Sequence, residues 1–248
     1  MEHRGVMKSL AGMTALVTGG SRGIGQAIVE RLTADGVRVA FGYHHAHEAA
    51  KQVAADTGAH PIRADLATHQ GVVHLVAQAG DAFGGLDALV NNAAVWLPRC
   101  RFGEADESTY DEVMAVNAKS VFFAIQHAAP RLRDGGRIVN VSSIATLRPT
   151  PGNAIYAASK AAVEQFTAIA AQELGARRIT VNCVAPGATD TALLRQSLPP
   201  QLVERVARNT LFARLGTGED IAGIVAFLLS PDSAWITGQT ITASGGLL

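Results

Sequence analysis

Tyr156 and Lys160 stand four residues apart in Tyr-Ala-Ala-Ser-Lys, inside a stretch (153–174) whose apolar spacing predicts a helix. Four residues is just over one turn, so a phenol and an ammonium share one face, about 6 Å apart in rise. A free tyrosine ionises near pH 10, too high for efficient proton exchange at neutral pH. Lowering that by three units takes about 4 kcal/mol, and a cation about 4 Å away in an effective dielectric of about 20 supplies roughly as much. Burial pushes a phenol the other way, so the charge of Lys160 has to outweigh it. Alone, the pair fits an exposed helix face equally well. Two further residues sharpen the reading. Ser143 closes the run Ile-Val-Asn-Val-Ser-Ser, thirteen residues before Tyr156, and its hydroxyl can donate to a substrate carbonyl oxygen beside the phenol. Ser142, its neighbour, carries the same hydroxyl. Asn117 falls inside a second predicted helix (110–132), where asparagine is unfavourable by propensity and invites a compensating role.

A second kind of chemistry is written near the start. Thr18-Gly19-Gly20-Ser21-Arg22-Gly23-Ile24-Gly25 lies between a β-rich run and a helical pattern. Glycines there let the backbone approach a diphosphate with no Cβ in the way, and the helix N-terminus offers free N–H groups to the anion. The second strand ends Gly42-Tyr43-His44-His45, with no acid before Glu48. A carboxylate at that point would hold a ribose 2′-hydroxyl and repel a 2′-phosphate, so its absence permits NADP. Arg22 could pair with that phosphate through its planar fork, or simply face water. His44, His45 and His47 have no thiol or carboxylate partner nearby, so a solvated helix start is preferred to a metal site, and no metal is expected.

The elements that would position these residues alternate. Strands are predicted at 14–17, 38–43, 61–64, 88–91, 137–141, 180–185 and 239–242, several of them nearly continuous in apolar character. Helices are predicted at 24–33, 47–55, 71–83, 110–132, 153–174 and 219–229. Such alternation implies right-handed crossovers and an α/β fold: a Rossmann-type, doubly wound parallel sheet of about seven strands with helices on both faces. Ligands of such sheets bind outside the carboxyl ends of the strands, where the residues above would gather.

The bulk properties exclude several classes. No Pro/Ser-rich stretch, charge block or composition shift marks a linker, so residues 1–248 read as a single domain, with a substrate loop around 187–211. Apolar residues make up 48% and charged residues 17%, which argues against disorder. Twenty-one basic and 21 acidic residues balance to zero net charge with no basic block, so a nucleic-acid partner is not expected. Residues 1–13 are polar and mixed, and runs such as 221–229 are too short to span a bilayer; no membrane partner and a cytoplasmic location follow as expectations. Cys100 and Cys183 are too few for a disulfide framework and read as reduced thiols.

The Thr-Gly-x-x-x-Gly-x-Gly loop, Tyr156-x-x-x-Lys160, Ser143 and Asn117 occur in the order found in the short-chain dehydrogenase/reductase family, which the chain resembles along almost its whole length. The resemblance implies an NADP(H)-dependent oxidoreductase interconverting a ketone and a secondary alcohol. A hydride comes from the reduced nicotinamide, Ser143 and Tyr156 hydrogen-bond the carbonyl oxygen, Tyr156 protonates the alkoxide, and Lys160 restores its proton with a water held by Asn117. It assigns the cofactor to Gly19, Ser21, Arg22, Gly23, Ile24 and Gly25, and to Tyr43 and His44 after the second strand. Asp65 would bind the adenine amino group with Leu66 beside it. Asn92, Ala93 and Ala94 stand for the family's Asn-Ala-Gly, Ala94 replacing the glycine. Pro186, Gly187, Thr189 and Thr191 would surround the nicotinamide, alongside Tyr156 and Lys160. Ser143, Tyr156 and Trp96 would meet a small-molecule substrate, though Trp96 could equally be plain packing and Arg148 could meet an acid or water. Three alternatives stay open: a 3-oxoacyl-[acyl-carrier-protein] reductase using Arg133, Arg177 and Arg178, an NAD-dependent sugar or secondary-alcohol dehydrogenase, and an NADP-sensing binding protein. The family also implies a homotetramer or dimer joined through the two long helices, whose alanines could equally pack within one subunit.

Overall fold

Apolar residues in the first strand, β1 (Thr14–Val17), alternate between two cores, and this alternation organises the whole molecule. Ala15 and Val17 face one core, Leu16 the other, and all three are fully buried. A strand covered on both faces must be apolar throughout, which is why β1 carries no polar stripe. The structure, a computed structural model, describes residues 10–96, 99–197 and 199–247. Met1 to Ser9, Leu97, Pro98, Leu198 of the expected substrate loop and Leu248 lie outside the described residues.

The remaining strands are β2 (Arg38–Tyr43), β3 (His60–Arg63), β4 (Leu86–Asn91), β5 (Leu132–Val141), β6 (Thr180–Pro186) and β7 (Thr240–Ala243). They form one seven-stranded sheet in the order β3-β2-β1-β4-β5-β6-β7, every pairing parallel. On one face pack α1 (Gly23–Ala34), α2 (His47–Thr57) and α9 (Gly218–Leu229), through Ile28, Val29, Leu32, Val53 and Val225 against Phe41 and Val17. On the other lie α3 (His69–Phe83), α5 (Ser120–Ala128) and α6 (Ala154–Leu174), through Leu75, Val76, Ala124 and Ala170 against Leu16, Leu89 and Ile138. The order reverses between β1 and β4, and the crevice at that reversal is where open parallel sheets bind ligands.

Two expectations are corrected. The helix expected over 110–132 begins earlier as α4 (Glu107–Met114), passes through a single π turn at Ala115–Lys119 and continues as α5. Leu132 is not helical; it opens β5 and pairs with Leu86, with a register shift between Leu86 and Ala88. Its burial in the sheet core overrides the helical spacing. The segment expected as a loop over 187–211 carries α7 (Ala192–Ser197), a short helix, and α8 (Pro200–Arg208), whose Leu202, Val203 and Val206 recur at helical spacing and which the sequence reading missed. Among the described residues no helix is long and apolar enough to cross a membrane.

Candidate active site

The glycine loop leaves β1 and is shaped by close approach. A Cβ on Gly25 would lie 2.0 Å from the Gly19 carbonyl oxygen, and one on Gly19 would lie 2.9 Å from Ala93 Cα. Gly19 also has φ +68°, in the left-handed region that glycine alone enters without strain. Thr18 locks the loop to the strand beside it: its Oγ1 accepts from the N–H groups of Asn92 and Ala93, both at 2.9 Å. Asn92 Nδ2 donates back to the Thr18 and Gly19 carbonyls at 3.1 Å. Helix α1 then starts with no side-chain cap and no acid in its first turn. Such a terminus presents free N–H groups and partial positive charge to an anion. The cradle therefore fits a diphosphate, and glycine is required at both of these points.

Around it opens a cavity of about 670 Å³ at the carboxyl ends of the strands. Every residue expected to touch cofactor or substrate lines it: Gly19, Ser21, Arg22, Gly23, Ile24 and Gly25 from the loop, Tyr43, His44, Asp65 and Leu66 after β2 and β3. Asn92, Ala93, Ala94 and Trp96 follow β4, Ser143 follows β5, Tyr156 and Lys160 come from α6, and Pro186, Gly187, Thr189 and Thr191 end β6. Arg22 is exposed at the N-cap position of α1, with no carboxylate partner among the described residues. The carboxylate of Asp65 accepts from Ala67 N at 3.0 Å and lies 3.8 Å from His44 Nδ1. No acid stands at the end of β2. No group of three or more histidine, cysteine or acidic side chains is placed to hold a metal ion, among the described residues.

Gly187 packs so tightly on Ser244 that a Cβ would fall 2.8 Å from its Cα. Thr189 forms a bridge to Gly216 through the flanking Ala188 carbonyl and Asp190 N–H, which leaves its own amide outside that bridge. Thr191 Oγ1 accepts from Leu194 N at 3.2 Å and so caps the start of α7. Ala192, Leu193, Leu194 and Val206 of this segment add apolar wall, as do Trp96 and Ile144.

The side chains expected to react meet at the start of α6. Lys160 is 2% exposed; its Nζ donates to the Val141 carbonyl at 2.9 Å and lies over the Tyr156 ring, 5.9 Å from the centroid. Burial pushes Lys160 down to about 8, with the neighbouring Cys183 acting weakly the other way. Burial pushes the Tyr156 phenol above its ordinary value, and a hydrogen bond with Ser143 draws it down. The sequence argument required the lysine charge to outweigh burial. In this structure burial is the larger effect on Tyr156, and Ser143 is the group that draws the phenol down.

Asn117 does not line the cavity and does not touch Lys160. It sits, fully buried, in the π turn between α4 and α5. Its Oδ1 accepts from Val95 N at 2.8 Å, and its Nδ2 donates to Val95 O at 2.9 Å and to Ser159 Oγ at 3.3 Å. The amide clamps the segment following β4 to the helix carrying Tyr156. Ser142 is spent elsewhere, with its hydroxyl 2.6 Å from Glu164. Arg133 and Arg177, proposed to meet a carrier protein, pair with Asp87 and Asp134 at the opposite edge of the sheet, beside the start of β1 in the case of Arg133. Glu164 and Thr18 were not singled out from sequence; Glu164 stands four residues past Lys160, a spacing that could have flagged it.

Comparison with known proteins agrees with this geometry. The family model described as enoyl-(acyl carrier protein) reductase matches residues 19–248. A hydroxynaphthalene reductase-like protein Arp2 of Metarhizium majus is 39% identical over 259 residues, covering 96% of each chain. A short-chain dehydrogenase/reductase of Serratia marcescens superposes with a TM-score of 0.92 at 40% identity, over 96% of this chain and 98% of that one. A short-chain dehydrogenase of Burkholderia cenocepacia, solved in complex with NADP, superposes with a TM-score of 0.90 at 40% identity, again over 96% and 98%. This fold and these relatives define an oxidoreductase. The chain belongs to the short-chain dehydrogenase/reductase family.

Proposed function

We propose that the protein is an NADP(H)-dependent reductase of a ketone, with Tyr156 as its acid/base. The observation that carries this reading is that one cavity joins the phosphate cradle to Ser143, Tyr156 and Lys160. Arg22, exposed and unpaired by any described carboxylate, supports NADP over NAD, as does the lack of an acid at the end of β2. The NADP complex of the Burkholderia cenocepacia relative supports it too. When bound, the reduced nicotinamide supplies the hydride. The chain's own groups do the rest: Ser143 and Tyr156 hold the carbonyl oxygen, and Tyr156 gives its proton to the alkoxide. Burial keeps the phenol protonated, and it can still give its proton to an alkoxide because an alkoxide is a far stronger base than a phenolate; the raised value works against the oxidative direction instead. Lys160, at about 8, can pass a proton near neutral pH and return Tyr156 to its starting state. Residues 1–248 would act as one domain, with 187–211 and Trp96 contacting an apolar substituent. Assembly as a homotetramer through α5 and α6 belongs to the same reading.

The test follows loss of reduced-nicotinamide absorbance with NADPH and with NADH, over ketones, diketones and 3-oxoacyl and enoyl thioesters. Turnover of a ketone with NADPH is expected. Tyr156→Phe should lose that turnover and bind NADPH nearly as tightly as the parent; a Phe variant that still reduces ketones would sink the assignment.

A further inference from the structure

One carboxylate that the mechanism above does not use grips the serine turn from both ends. Tyr156, Lys160 and Glu164 succeed one another at four-residue intervals along α6, so they share a face. Glu164 Oε1 accepts from Ser142 Oγ at 2.6 Å and from Thr146 Oγ1 at 2.9 Å. Those two hydroxyls flank Ser143, one residue before it and three after. The turn is also tied within itself: Thr146 Oγ1 lies 3.0 Å from the Ser143 carbonyl, and Ala145 N donates to Ser143 Oγ at 3.2 Å. Ser142 N donates to the Val184 carbonyl at 2.7 Å, which fixes the near end of the turn to β6. The far end has Glu164 as its side-chain link to α6, the helix that carries Tyr156.

We propose that Glu164 is a positioning residue for Ser143, holding the serine turn at a fixed distance from Tyr156. This rests on the reductase reading above. Charge-assisted hydrogen bonds from hydroxyls to a carboxylate are short and roughly twice as strong as neutral ones, so one half-buried oxygen can hold a turn at two points. Without it, Ser142 Oγ keeps its 3.3 Å contact with the Lys160 carbonyl, while Thr146 loses its link to α6. Ser143 then drifts relative to the phenol, and misplacement of about 1 Å costs about a hundredfold in rate.

The experiment is a cycle of Glu164→Ala and Ser143→Ala, singly and together, with Glu164→Gln alongside. In E164A, kcat should fall about tenfold or more while the NADPH Kd, read from cofactor fluorescence, stays within about twofold. E164Q keeps an acceptor oxygen and should recover most of that loss. In the S143A background, E164A should cost little further, because the residue it positions is gone. Full turnover in E164A, or an equal loss in both backgrounds, overturns the proposal. A second readout needs no turnover: the tyrosinate absorbance of Tyr156, isolated by subtracting Tyr156→Phe, should titrate at higher pH in E164A, as in S143A. An unmoved titration overturns the positioning role. A wild type that consumes no cofactor with any carbonyl overturns the reductase reading and leaves the titration to decide on Glu164.

Discussion

The charge states at the site are set by which groups each side chain can reach. Lys160 is buried against a carbonyl, which solvates an ammonium only partly, so the fold holds it at about 8 against an ordinary 10.5. Between those values the unfolded chain carries a proton that the folded chain does not. Unfolding there takes up protons, so this residue's contribution rises with pH across the window and is a fixed penalty below it. Relative to Lys160→Met, the wild type should therefore gain about 3 kcal/mol from pH 8 to 10.5 in urea titrations. A constant difference between the two proteins would refute the burial argument. Arg22 gives the second prediction at this scale. Reversing its charge in Arg22→Glu should raise the KM for NADPH by about tenfold or more and leave that for NADH much less changed. Equal effects on both cofactors would place Arg22 outside the 2′-phosphate site.

Among elements, the π turn at Ala115–Lys119 does what neither flanking helix could. One extra residue in the turn brings Asn117 inward, where its amide satisfies both main-chain groups of Val95 and reaches Ser159 on α6. Three segments of the cavity wall are thereby joined by one side chain. Asn117→Ala leaves the Val95 N–H and carbonyl without those partners and should cost about 2 kcal/mol in denaturant stability, with turnover falling alongside. Loss of turnover with unchanged stability would instead mark a direct part in proton transfer. The glycine loop works by similar logic, because Thr18 and Asn92 bind each other's main chain across β1 and β4.

For the whole molecule, the question left by one chain is what covers its outer faces. Phe122 on α5 is 48% exposed and meets Phe166 of α6 edge-on at 5.6 Å, with Ile169 nearby in sequence and 47% exposed. Burial of such rings is worth about 25 cal/mol per Å² removed from water. Under the homotetramer reading, light scattering should give four copies for the wild type and a smaller species for Phe122→Glu, at unchanged secondary structure by circular dichroism. A variant that assembles like the parent would move the interface elsewhere.

What the amino-acid order determined by itself is whatever depends on local spacing. Apolar runs placed the buried strands, since burial on both faces forbids polar breaks; the largely exposed edge strands β3 and β7 lack that signal, and β5 begins at Leu132, ahead of its apolar run. The glycine loop and the Tyr156–Lys160 pair were legible because a strand-to-helix bend and a helical turn impose fixed intervals on them, whereas Ser143 was singled out through the family resemblance. Other features only the tertiary structure decided. Leu132 became part of a strand because β4 lies beside it, and α7 is too short to show a period. Asn117 turned toward Val95, twenty-two residues away, and Glu164 toward Ser142 and Thr146 on another element. The balance between the charge of Lys160 and the burial of Tyr156 went to burial. Each of these depends on groups far apart in the chain, whose distances and exposure to water exist only once the sheet has closed against its helices.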